Sequence, residues 1–335
     1  MTRLLVFLVA FVVVAHPPSA VNPPSSVAQP FRAAETAPQA VAQPFRAADT
    51  VPRAVAQPFR AADTAPQNQP RRIISLIPAV TEMLFALGAG DRVAGVSSFD
   101  RFPAQVDKLP TVGALLDPNL EKILSLKPDL VVVYHSQEDF RRQLGRAGVP
   151  TYIYTHAGLA DVTDTIRTVA ERIGSRERGR ELAGRVEANL GDIRKRVAGR
   201  PRPRTLVVFG RENYSLRGIY ASGGKGFIHD MVTLAGGDNV FADVQREAVQ
   251  ATTELILSRR PEVILELRAD PMTPAEERKE LAVWGQLPSV PAVRAGRVHM
   301  LVDTRTVIPG PRVAEGVEAI FARLHAPGST TRTPR

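Results

Sequence analysis

Asn119-Leu-Glu-Lys-Ile-Leu-Ser-Leu-Lys-Pro-Asp-Leu-Val-Val-Val133 has a counterpart later in the chain, Thr252-Thr-Glu-Leu-Ile-Leu-Ser-Arg-Arg-Pro-Glu-Val-Ile-Leu-Glu266. Each reads as a short helix, a proline that stops it, and an apolar strand of the buried type. Glu121 falls opposite Glu254, Ser125 opposite Ser258 and Pro128 opposite Pro261, at a constant offset of 133 residues. The chain therefore carries one helix–proline–strand unit twice, which predicts two similar halves. Ligands of parallel α/β sheets bind outside the carboxyl edge of the strands, where the following helices begin. Glu121 and Glu254 lie in the first turns of their helices, about 100° off the apolar stripe, and so should be exposed. Two halves facing each other would then place one carboxylate apiece on the rim of a shared cleft. Taken singly, either glutamate could equally be an ordinary stabiliser of a helix dipole.

Working outward, strands alternate with helices on both sides of the repeat, which argues for a parallel α/β layer structure. Ile73–Ile77, Val93–Val96, Leu130–Tyr134 and Thr151–Tyr154 read as strands of a first half, with a helix opened by Pro78. Thr205–Phe209, Val263–Leu267 and Val298–Val302 read as strands of a second half, closed by a helix over Val313–Leu324. Between them, Leu182, Val186, Leu190, Ile193 and Val197 mark one face of a helix over Arg176–Val197. A helix of that length measures about 33 Å, which suits a strut between lobes. The expected fold is α/β: two α/β lobes with parallel sheets joined by a long backbone helix. The expected divisions are a signal peptide (1–20), a disordered repeat linker (21–70), an N-terminal lobe (71–158), connecting helices (159–202), a C-terminal lobe (203–327) and a frayed tail (328–335).

Arg3 followed by the apolar run Leu4–Ala15 and the small residues Ser19 and Ala20 reads as an export signal. Its twelve apolar residues fall short of the roughly 20 needed to span a bilayer, so an uncleaved anchor is the alternative. Val27–Ala34 recurs at Val41–Ala48 and Val55–Ala62; the units are too short and Pro-rich for a solenoid and read as a spacer. Cysteine is absent from the 335 residues, which excludes disulfides, thiolate metal sites and a lipidated cysteine. The formal net charge of +9 comes from scattered residues without a dense basic block, so nucleic acid is not an expected partner.

Arg72–Glu82, Val93–Ser98, Asn119–Leu130, Ala235–Val240 and Thr253–Leu257 occur in that order. Together they resemble the periplasmic binding proteins for cobalamin and iron–siderophore complexes, over residues 72–325. The resemblance implies a substrate-binding protein of an ABC importer, not an enzyme, exported to the periplasm and monomeric. Its partners would be an ABC permease with its ATPase at the inner membrane. It also implies that Glu121 and Glu254 dock on permease arginines. Where cobalamin binders commonly carry aromatic residues, this chain has Leu115 and Ala248, while Tyr220 remains available and Asp303 matches an acidic ligand-contacting position.

Position past the strand ends adds Ser98, His135, His156, Arg211 and Arg268 to the candidate ligand contacts. The expected ligand is cobalamin or a related corrinoid. The alternatives are a ferric siderophore or haem, or a metal ion held by His135, His156 and Asp303. No cofactor is expected. No Gly-x-Ser-x-Gly elbow occurs, and Gly223-Gly-Lys-Gly226 lacks the Ser or Thr that a phosphate-binding loop needs after its lysine.

Overall fold

A computed structural model describes residues 69–155 and 158–326. The signal segment, nearly all of the repeat, His156 and the C-terminal tail lie outside the described residues. The first lobe runs β1 (Ile73–Ser75), α1 (Pro78–Ala86), β2 (Val93–Val96), α2 (Leu120–Ser125), β3 (Leu130–Tyr134), α3 (Glu138–Arg146) and β4 (Thr151–Tyr154). Helices α4 (Asp161–Arg172) and α5 (Arg176–Val197) follow. The second lobe runs β5 (Arg204–Gly210), β6 (Ile219–Ser222), α6 (Phe227–Leu234), β7 (Asp238–Asn239), β8 (Ala248–Ala251) and α7 (Thr253–Arg259). It continues through β9 (Val263–Arg268), α8 (Pro274–Ala282), α9 (Pro291–Arg294), β10 (Val298–Val302) and α10 (Val313–Leu324).

The first sheet is parallel, in the order β2-β1-β3-β4. Its strands are short, and those in its middle are apolar on both faces, because helices cover both sides. The second sheet has the order β10-β9-β5-β6-β8, with β7 alongside β5. Its β10, β9, β5 and β7 are parallel, while β6 and β8 add two antiparallel strands. Neither β6 nor β8 is evident from sequence: Ile219–Ser222 and Ala248–Ala251 mix apolar and polar positions and hold no apolar run.

Helix α5 covers the predicted residues, and its whole stripe from Leu182 to Val197 is buried. That stripe belongs to one continuous core, which includes Ile73 and Leu130 of the first sheet, Ile166 and Val169 of α4, and Val207 and Leu265 of the second sheet. The connector is therefore a wall shared by both lobes. Each fully buried Val, Leu or Ile contributes about 1.5–3 kcal/mol, so separating the lobes from α5 would expose many such side chains at once. Close approach of α4 and α5 depends on Gly179, where a Cβ would sit 2.3 Å from that of Ala170.

Candidate functional site

The carboxyl ends of the strands in the two sheets carry loops that meet across the lobes. Arg312, just before α10, reaches Glu82 of α1 with both arms of its guanidinium, at 2.6 and 3.0 Å. Its charged carbon stands 3.6 Å from the centroid of the Phe102 ring, in the loop after β2. Arg101 of that loop and Arg268 at the end of β9 both draw on Asp270; burial, the larger effect, still raises its pKa. These contacts bring the loop after β2 against the loops after β9 and β10.

The loop after β2 is built on Asp100, which is 5% exposed. Its Oδ2 accepts from the Ser97 N–H at 2.8 Å and the Ser97 hydroxyl at 2.7 Å. The Thr81 hydroxyl also faces this carboxyl. Its single proton goes to the Ile77 carbonyl, at 3.2 Å, so Oδ1 has no donor. Burial, with the Glu82 charge adding to it, pushes the Asp100 pKa up to about 6, against the pull of the Ser97 bonds and the Thr81 hydroxyl dipole. Burial also raises Glu82, opposed by Arg312. Tyr134 is raised by burial and then by the Asp100 charge.

The residues singled out from sequence divide. Ser98, His135 and Tyr220 are exposed, and Tyr220 pairs with Gly210 at the carboxyl end of β5. Leu115 is half-buried and fixed through its carbonyl, which accepts from Gln137 at 2.9 Å. Arg268 is largely buried and donates to Glu266 at 3.3 Å. Asp303 is chelated by Arg305, through two bonds of 2.9 Å and one of 2.6 Å. Burial raises Asp303, but these bonds and the Arg305 charge outweigh it and hold the carboxyl below its usual range. A metal set of His135, His156 and Asp303 would thus find its carboxylate already taken. Among the described residues no group of three or more His, Cys, Asp or Glu could hold a metal ion.

Arg211 is corrected by the structure. It turns inward with its side chain wholly buried, against Glu266 at 3.0 Å and Glu280 at 2.7 Å. It also donates to the Glu212 and Ser215 carbonyls, at 3.1 Å each. Sequence position puts it at a strand end, but two acids from β9 and α8 together with the carbonyls of Glu212, Ser215 and Glu280 take up its guanidinium.

Three exposed aromatic residues at these strand ends went unremarked in the sequence: Phe99, Phe102 and Tyr214. Phe99 and Phe102 follow β2 by three and six residues, a signal that the strand-end rule already contained. Tyr214 needs the structure: it has φ = 54°, and its N–H is held by the Glu280 carboxylate at 3.1 Å.

The duplicated unit is reproduced bond for bond. Asn119 accepts from Lys122 N–H at 2.8 Å, and Thr252 accepts from Leu255 N–H at 3.2 Å, each capping its helix. Ser125 donates to the Lys122 carbonyl at 2.7 Å, and Ser258 to that of Leu255 at 2.8 Å. Lys127 and Arg260 end the helices in the left-handed region, with φ of 48° and 49°. Asp129 and Glu262 then bind the N–H groups of Arg72 and Arg204 at the start of each lobe. Glu121 and Glu254 are both exposed. Glu254 lies below its usual range because its own N–H and the neighbouring threonine hydroxyls favour the charged form.

Residues 73–303 match the sequence model for the periplasmic binding proteins. The chain belongs to that family. This periplasmic binding protein is 30% identical over 264 residues to the ABC transporter substrate-binding lipoprotein YvrC of Bacillus subtilis strain 168, covering 77% of this chain and 81% of the relative. It is 29% identical over 196 residues to the vitamin B12-binding protein of Yersinia pestis strain Pestoides F, covering 58% and 68% of the two chains. Its fold is similar to that of the periplasmic vitamin B12 binding protein of Vibrio cholerae, with a TM-score of 0.66, 26% identity and coverage of 76% and 97%. It is also similar to the periplasmic heme-binding protein RhuT of Roseiflexus sp. RS-1, with a TM-score of 0.65, 29% identity and coverage of 76% and 98%. The protein is a substrate-binding component of an ABC transporter, not an enzyme; its partners are an ABC permease with its ATPase and a small-molecule ligand. Among the described residues no helix is long and apolar enough to cross a membrane.

Proposed function

We propose that this periplasmic binding protein carries a corrinoid of the cobalamin class. The ligand would lie between the lobe of residues 71–158 and that of 203–327, held at a fixed separation by residues 159–202. The observation that carries this reading is the set of exposed aromatic rings at or beside strand ends, Phe99 and Phe102 in the first lobe and Tyr214 and Tyr220 in the second, among which the ligand would lie. Flat, weakly polar faces suit a macrocycle, which buries a large area against rings that lose little entropy. Similarity to the vitamin B12-binding proteins supports the same choice. Export through the 1–20 segment would deliver the protein to the periplasm. Titration with cyanocobalamin, followed by visible absorbance, should saturate at one equivalent. Saturation by a ferric hydroxamate siderophore instead would overturn the corrinoid reading.

Haem is the second reading, favoured by the similarity to RhuT and by exposed His135 and Tyr220 as ligands for iron. Haemin added to the same protein would then give a sharpened Soret band, and His135→Ala or Tyr220→Phe would alter it.

Glu121 and Glu254 are the proposed docking contacts with the permease. Replacing both with Ala should abolish ligand uptake in cells while leaving the ligand affinity of the purified protein unchanged. Uptake at the wild-type rate would exclude the docking role.

A further inference from the structure

The aromatic turn of the first lobe is held from the second. Phe102 lies under the Arg312 guanidinium, and Arg312 is fixed in turn by a two-armed bond to Glu82, which is 3% exposed. The Thr304 hydroxyl, 3.2 Å from Nη2, marks a third point. Gly310 brings the chain flush over this carboxylate, since a Cβ there would stand 2.8 Å from Glu82 Oε2. Glu315 and Asp303 also press negative charge on Glu82, and both are themselves paired with Arg305. Arg312 is thus the cation that lets a buried first-lobe acid sit beside the second lobe's acids.

We propose that Arg312 is a positioning residue, a cross-lobe clamp that sets the shape in which the Ser97–Phe102 turn meets the ligand, with Glu82 as its buried seat. The proposal rests on the cleft reading only for its consequence on binding. The two contacts reinforce each other geometrically. The fork to Glu82 fixes where the guanidinium lies, and the ring–cation contact fixes Phe102 beneath it. Lysine could supply the charge but neither the fork nor the flat stacking surface. A plain stabilising ion pair would behave differently, because it needs charge alone and leaves the aromatic turn indifferent.

A reporter at the turn separates the two, using the full-length protein. Phe102→Trp places an indole under Arg312, distinct from Trp284, which is buried in the second lobe. Adding Arg312→Gln should red-shift the new emission and lower its anisotropy, and Arg312→Lys should do the same while recovering part of the lost melting temperature. If Lys restores the emission as well as the stability, or if Gln leaves the emission unchanged, the clamp is wrong. Should Phe102→Trp fold poorly, hydrogen exchange on the single variant Arg312→Gln gives the same decision. Amides over 97–106 should exchange about tenfold faster, equivalent to about 1.4 kcal/mol, while those over 212–217 stay protected; equal acceleration of both segments would overturn the proposal. Neither measurement needs a ligand. A failed cyanocobalamin titration of the wild type therefore counts against the corrinoid alone.

Discussion

In the second lobe, Arg211 lies out of water between Glu266 and Glu280, and Trp284 and Arg268 complete the bonds of Glu266. In the first lobe, Asp100 is buried nearly as deeply, yet its carboxyl is bonded only by the Ser97 N–H and the Ser97 hydroxyl. Both arrangements support a loop bearing exposed aromatic residues. The second-lobe cluster is neutral within itself and draws on β5, β9 and α8. The first lobe gives Asp100 uncharged bonding partners and takes the cation for its other buried acid, Glu82, from the second lobe. Buried charges are tolerated when paired and fully bonded, and otherwise neutralise by taking up protons. One loop should therefore be rigid at any ordinary pH, while the other should respond to protons and to the position of the opposite lobe.

The largest effect expected from breaking this contrast is on Arg211. Arg211→Met strands Glu280 and leaves Glu266 with only Arg268 and Trp284 in the second-lobe interior, and should lower unfolding stability by about 3–5 kcal/mol, measured by urea denaturation at pH 7. A loss below about 1 kcal/mol would mean that the cluster is not the support it is taken for. Next comes Asp100. Its folded pKa of about 6 lies above the ordinary value of 3.8, so between these two values the native state keeps a proton that the unfolded state releases. Stability should fall as pH rises through that window, by on the order of 2–3 kcal/mol in all, and should level off above it. Asp100→Asn should remove most of this slope, leaving a residue from Glu82, which is raised in the same direction. Urea midpoints at pH 4 and pH 7 that differ equally in the variant and the wild type would refute this assignment. The smallest effect sharpens the likeness between the lobes. Asn119→Ala and Thr252→Ala each remove one helix cap and should cost about 1 kcal/mol apiece, by thermal melts. A large inequality would show that the duplicated units are matched in form but not in energy.

Much of this was legible before any coordinates. Helix α5 follows from the spacing of Leu182, Val186, Leu190, Ile193 and Val197, because an apolar stripe needs only its own helix to be recognised. The repeated helix–proline–strand unit is likewise read from the residues themselves. Ser98 and His135 were placed just past strand ends and are exposed there. Strands β6 and β8 were missed, since Ile219–Ser222 and Ala248–Ala251 lack the apolar and β-branched run that marks the strands found. The inward turn of Arg211 was missed because its partners lie 55 and 69 residues away.

Sequence alone determined the elements whose signals lie within a few residues: the apolar stripe of α5, Pro128 and Pro261 that stop the short helices, and the doubled unit that predicts two lobes. Tertiary structure decided which charges meet. Glu82 and Arg312 are 230 residues apart, and neither residue's neighbours hint at the other. A helix cap is satisfied by backbone that the chain must supply nearby. A buried carboxylate is satisfied by whichever cation the packing of two separate sheets carries to it, and that is settled only when the whole core has closed.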